Sequence, residues 1–183
     1  MLDKSLTSPF AKPNSYIGRT LSRAGARRGV AGRGRYTDDI TLPRMLHAAF
    51  LRSPHAHARL SAIDVVDARR QPGVAMVMTG AELAKLCTSP WVGTLTCFPG
   101  MKSAPQYPMA VDRACWVGEP VAIVVARTRA EAEDAAEHIH IEWQELPAVT
   151  DKQTALDPTS PVLHPELGDN LAFRKTIDTG AVE

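Results

Sequence analysis

Three histidines come first among the side chains able to do chemistry. His55 and His57 stand two apart, with His47 upstream. On a strand that spacing turns both rings to one side, as a metal site would need. The nearest carboxylate is Asp64, however, and Pro54 puts a bend beside the pair. Turn histidines bonded to backbone are the simpler reading. Gly32-Arg33-Gly34 has the composition of a phosphate cradle. A cradle needs a strand before it and a helix after it; here a glycine-rich arm precedes and a strand follows. Asp38-Asp39 reads as a turn former rather than an acid–base pair. Glu119, in Gly-Glu-Pro, sits at a strand entrance. Spacing names no catalytic partner for it, so a turn or interface role is expected. Cys115 beside Trp116 reads as buried and inert. Cys87 and Cys97 lie in a loop with no His or Arg close in sequence to activate them. No catalytic, cofactor-binding or metal-ligating residue is therefore assigned.

The elements that position these residues are best defined between Cys115 and Val149. Val121–Ala126 is an unbroken apolar run, as in a strand covered on both faces. Pro120 costs no ladder bond if it takes the first strand position. Thr128 with Glu131 spells a capping box. The helix it opens places Ala132, Ala135, Ala136 and Ile139 on one face, and Glu131, Glu133, Asp134 and Glu137 toward water. His140–Gln144 then alternates, with Ile141 and Trp143 on the buried side. Strand, helix and strand in this order predict a parallel pair joined by a right-handed crossover.

Upstream, strands are expected at Met45–Arg52, Arg59–Val65 and Val74–Met78. A helical turn at Val66–Gln71 stops at Pro72-Gly73. Thr79 and Glu82 repeat the capping box ahead of a short helix. Strand–helix–strand thus occurs twice, at 59–79 and at 121–145. Residues 1–15 read as a loose tail, and Gly18–Arg35 as an extended or looped arm. Residues 87–113 form a long irregular stretch, the kind usually spent on function or an interface. Residues 151–183 read as a proline-rich linker and the start of a following domain, with a strand beginning at Leu171–Asp178. The expected organisation is a basic arm (1–35), an α/β domain (36–150) and that linker. A chain ending on an opening element suggests that a further domain is missing.

The chain has 183 residues, 44% hydrophobic and 22% charged, ordinary for a globular protein able to bury a core. No apolar run approaches the roughly 20 residues of a membrane span, and the N-terminus lacks the apolar core of a secretory signal. Three cysteines, none in a C-x-x-C pair, fit a reducing compartment, and a cytoplasmic location is expected. Net charge is +1, unevenly spread. Residues 1–35 hold eight basic side chains against Asp3; the remainder holds 13 basic against 19 acidic. Only Phe10 and Tyr16 accompany the arm's charges, too few aromatics for a nucleic-acid binder. An acidic protein surface, or partial disorder, suits the arm better.

Three segments carry a resemblance: Gly32–Leu42 (GRGRYTDDITL), Met45–Asp64 (MLHAAFLRSPHAHARLSAID) and Trp116–Val149. Together they resemble the N-terminal α/β hammerhead domain of molybdenum hydroxylase large subunits, the xanthine dehydrogenase, aldehyde oxidase and CO dehydrogenase family. Pro72-Gly73-Val74, Met78–Ala81 and the His164…Asn170 stretch fit as well, so the likeness runs from Ile17 onward. It implies an α/β (α+β) fold, a mixed sheet with short helices and crossover units. It also implies a complex in which molybdopterin does the hard chemistry and iron–sulfur clusters and FAD carry electrons away. The implied partners are the rest of the large subunit and the iron–sulfur and flavin subunits or domains, in a hetero-oligomer without nucleic acid or membrane. In the family the pterin-binding regions and the catalytic glutamate lie beyond this domain. No cofactor is therefore expected on this chain alone, whether it is a truncated or a split subunit, and no turnover from it in isolation. The alternative is a stand-alone binding module that kept the fold without the enzyme.

Overall fold

The computed structural model describes residues 23–87, 96–104 and 106–180. Met1–Pro43 and Arg44–Glu183 form two units. The loose tail expected at 1–15 lies outside the described residues. So does part of the irregular stretch at 87–113.

In the first unit the extended or looped arm expected over Gly18–Arg35 is, among its described residues, partly helical instead. Ala26–Val30 makes one short helix (α1), closed by Gly32 at φ +67°. Ala and Arg are good helix formers, and local bonds suffice for one turn. Thr37–Asp39 is a 3-10 turn in which Asp39 Oδ2 accepts from the Tyr36 N–H at 2.9 Å.

The second unit carries two three-stranded sheets. One has the order β1 (His47–Arg52), β5 (Pro120–Ala126), β3 (Val74–Thr79). The other has the order β4 (Arg113–Ala114), β2 (Ala58–Asp64), β6 (His140–Glu145). The helices are α2 (Val66–Arg70), α3 (Gly80–Leu86) and α4 (Arg129–Glu137). The α/β class holds. The parallel pair and the mixed sheet do not: every pairing among the described strands is antiparallel. The reason is occupancy. β1 and β3 already fill both edges of β5, so β6 has no edge there to join. It pairs with β2 instead. The two strand–helix–strand units each carry the chain from one sheet to the other, β2–α2–β3 in one direction and β5–α4–β6 in the other.

The core lies between the β1-β5-β3 sheet and helices α2 and α4. Ala122, Val124 and Val77 come from one sheet, Ala68 and Val65 from around α2, and Ala135, Ala136 and Ile139 from α4 and its end. Ile63 and Ile141 of the second sheet pack against them. The alanine stripe of α4 is buried as its spacing requires, and small side chains let the helix lie close to the strands. Both capping boxes form: Thr79 Oγ1 accepts from the Glu82 N–H, and Thr128 Oγ1 from the Glu131 N–H. Glu82 Oε2 and Glu131 Oε2 reach back to the Thr79 and Thr128 N–H groups, each at 2.9 Å. Pro120 opens β5, where its missing N–H costs nothing. No strand forms at Leu171–Asp178, which makes no ladder with either sheet.

Candidate functional site

A cluster of buried polar groups lies where β1 ends and β5 begins. Ser53 follows β1 and is 2% exposed. Its N–H donates to the Glu119 carbonyl at 2.9 Å, and its carbonyl accepts from the Gly118 N–H at 2.8 Å. Its hydroxyl accepts from the His55 N–H at 3.1 Å, which shapes the bend Pro54 announces. Arg52 Nη1 donates to the Gly118 carbonyl at 2.8 Å. Glu119, 5% exposed, turns its carboxylate inward, and Oε2 accepts from the Cys115 N–H at 2.6 Å. Burial pushes its pKa above the usual carboxylate range, against the pull of the Cys115 and Trp116 amides and the Arg113 charge. Glu119 thus spends its carboxylate on its own turn. That is the turn role its Gly-Glu-Pro context predicted.

Arg113 faces a second carboxylate. Its Nη2 lies 3.6 Å from Glu166 Oε2, and His164 Nδ1 lies 3.3 Å from Glu166 Oε1. Arg113 Nε and His164 Nδ1 make no hydrogen bond of good geometry, so Arg113 holds Glu166 by charge rather than by a directed bond. Glu166's pKa is lowered: burial opposes this, but its own amide and the His164 and Arg113 charges outweigh it. Burial raises the Cys115 thiol, which makes it a poor nucleophile at neutral pH. Cys97 is exposed and Cys87 half-buried.

The histidines do not converge. His57, 7% exposed, has Nδ1 at 2.7 Å from the Pro147 carbonyl, and its own carbonyl accepts from the Leu146 N–H at 2.9 Å. A carbonyl only accepts, so the proton sits on Nδ1. His55 lies against Trp143, ring centroids 5.2 Å apart, with Nδ1 3.4 Å from Glu145 Oε1. His47 is on β1 in the other sheet. Asp64, the one carboxylate near them in sequence, accepts from the Val66 N–H at 2.9 Å and starts α2. Among the described residues no three His, Cys, Asp or Glu side chains are grouped to hold a metal ion. Gly32-Arg33-Gly34 serves a helix end: Gly32 N–H bonds the Gly29 carbonyl at 3.1 Å, and Arg33 N–H the Arg28 carbonyl at 2.8 Å. This paired closure is the Schellman motif.

Two residues carry more than spacing suggested. Asn170 accepts from the Leu163 N–H at 3.0 Å and donates to the Ala155 and Pro161 carbonyls at 2.9 Å each. Lys102 Nζ donates to Asp169 Oδ1 at 2.7 Å and to the Leu167 carbonyl at 3.0 Å. Between them lies an open cavity of about 270 Å³, lined by Lys102, Leu163, His164, Asp169 and Leu171 among others. A lone Asn among Pro, Gly and Asp was the only sequence signal; the 67-residue separation of Lys102 and Asp169 left none.

Residues 31–147 match the family described as aldehyde oxidase and xanthine dehydrogenase, a/b hammerhead domain. The chain belongs to that family. It is 35% identical over 167 residues to the nicotine 6-hydroxylase large subunit of Paenarthrobacter nicotinovorans, covering 91% of this chain and 20% of that protein. It is 34% identical over 154 residues to the xanthine dehydrogenase molybdenum-binding subunit of Escherichia coli, covering 84% of this chain and 20% of that one. Quinoline 2-oxidoreductase from Pseudomonas putida 86 superposes with a TM-score of 0.78 at 43% identity, over 87% of this chain and 20% of its own. The hammerhead chain therefore spans about a fifth of the length of these relatives.

The family implies a molybdenum–pterin group, and the tight glycines and paired cations of the second unit do not suit it. The two glycines at close quarters, Gly73 and Gly80, are filled by the chain itself. A Cβ at Gly73 would strike the Glu131 carboxylate, and one at Gly80 the Ala110 carbonyl. Lys102 and Arg113 are each set against a carboxylate of this chain.

Proposed function

We propose that this chain is a scaffold and interface domain of a molybdenum-cofactor-dependent hydroxylase, and that it does not turn over substrate alone. What supports the reading most is the spending of its buried polar groups. Glu119, Ser53 and Asn170 each bond this chain's own backbone, as His57 does through Nδ1, so these groups frame turns and loops rather than stand ready as a catalytic acid or base. The hammerhead match over one fifth of each relative supports it as well. In the assembled enzyme, molybdopterin is held by other polypeptide, and iron–sulfur and flavin components pass the electrons on. The partners are the remaining large-subunit polypeptide and those electron-transfer components, in a cytoplasmic hetero-oligomer. The basic residues of 1–35 suit an acidic surface among these partners. Among the described residues no helix is long and apolar enough to cross a membrane.

The test is expression of this chain with and without the remaining large-subunit polypeptide. N-heterocycle, aldehyde and CO oxidation are assayed with an artificial electron acceptor, and molybdenum is measured by elemental analysis. Activity and metal are expected only from the combination. Turnover by the isolated chain overturns the reading.

A further inference from the structure

Sheet β1-β5-β3 has two faces, and one of them packs against the core. Ala49, Leu51, Val77, Ala122 and Val124 point into the core. Alternation along each strand sends their neighbours to the opposite face. The register lines these up in two rows: Phe50, Ile123, Met78 and Ala48, Val125, Met76. All six are apolar. At the Val121 end of this face Val121, Met109 and Ala110 are buried, and the Ala110 N–H bonds the Pro120 carbonyl at 2.8 Å. Beyond that end Phe50 is 45% exposed and Met76 40%. Among the described strand residues of this face Arg52 is the only charge. Its guanidinium bonds the Gly118 carbonyl and lies 5.7 Å from the Phe50 ring centroid.

We infer that these two rows are the seat of the remaining large-subunit polypeptide, which meets them with an uncharged, apolar surface. The inference rests on the proposed function and names the face that function uses. The patch's size argues for this occupant. Three strands about 4.8 Å apart and two rows about 7 Å apart give, with side chains, on the order of 300 Å². A stable pair of separate proteins needs about 800 Å² on each partner. A second copy seated here alone would fall well short. A partner held to the domain by other contacts as well needs no more, and in the relatives four fifths of the chain lies outside the matched region. The absence of a free charge on the rows selects an apolar occupant, because an unpaired charge buried there would be costly.

The experiment uses the native complex purified through a tag on this chain, and the isolated chain beside it. Met76→Cys is labelled with a maleimide and read by peptide mass spectrometry, which separates it from Cys87, Cys97 and Cys115. Labelling is expected to slow about tenfold or more in the complex, since a covered thiol reacts only through local opening. Phe50→Asp is expected to cut recovery of the large-subunit remainder about tenfold while leaving the isolated chain's melting temperature within a few degrees. If no such polypeptide co-purifies with the unaltered chain, the proposed function itself fails. If it co-purifies and Met76→Cys labels equally fast in both samples, only the assignment of this face fails. Slow labelling already in the isolated chain also overturns it. Dependence on concentration would then indicate a second copy, and independence a cover supplied by the chain's own N-terminal residues.

Discussion

The β5–α4 core and the turn that leads into it are neighbours in sequence, yet different physics holds them. Around Val124 the forces are volume and burial: alanines on α4, valines on β5, and no side-chain hydrogen bond required. Around Glu119 a few directed bonds fix the backbone of Ser53, Cys115 and Gly118. The first region tolerates a change of polarity poorly and small losses of volume moderately. The second depends on single atoms. An interface domain has use for both: a rigid block, and edges whose shape polar locks define.

The largest effect is expected where the two regions meet. Gly80 opens α3 against the 109–110 segment, and any Cβ there runs into the Ala110 backbone carbonyl. A backbone atom cannot swing aside as a side chain does. Gly80→Val should therefore cost about 3 kcal/mol or more, the upper end for overpacking. Urea denaturation of the isolated chain would measure it. A loss under 1 kcal/mol would show that the 109–110 segment yields, and the contrast between block and edge would weaken. Val124→Ala is next, at about 2 kcal/mol for two buried methylene equivalents plus a partly collapsed cavity. Asn170→Ala should cost about 1 kcal/mol, because its partners are half-buried and water can replace part of what is lost.

What the sequence made legible follows the same divide. Thr79 with Glu82 and Thr128 with Glu131 are three residues apart, and their caps formed as written. The alternation of β6 and the alanine stripe of α4 likewise depend only on local period. Partner choice does not: β5 reads as a strand from its own residues, but nothing in them says that β1 and β3 will take both its edges and send β6 to another sheet. The polar locks were half legible. Glu119 and Cys115 are four apart at a glycine-proline turn, so a structural role could be argued. The bonds of Asn170 reach back seven, nine and 15 residues across irregular chain, where no period exists to read.

The smallest effect concerns pH, and it separates the two regions most cleanly because the apolar block has nothing to titrate. Burial raises Glu119's pKa above its unfolded value, so the native state holds the proton more tightly. Its contribution to stability is full below the unfolded pKa, declines as pH rises toward the folded pKa, and is level above that. Glu82 and Glu166 run the other way. Their folded pKa values are depressed, so their stabilisation is present above the unfolded pKa and is lost as pH falls through the folded one. The two effects therefore occupy opposite sides of the ordinary carboxylate pKa. Glu119→Gln keeps an oxygen to accept from the Cys115 N–H and removes the titration. Melting temperatures of both proteins should lie close together at mildly acidic pH and separate as pH rises toward neutral, the unaltered chain losing ground that the variant keeps. Parallel curves across that range would mean that the Cys115 and Trp116 amides and Arg113 fully offset the burial, leaving the turn a neutral lock rather than a titratable one.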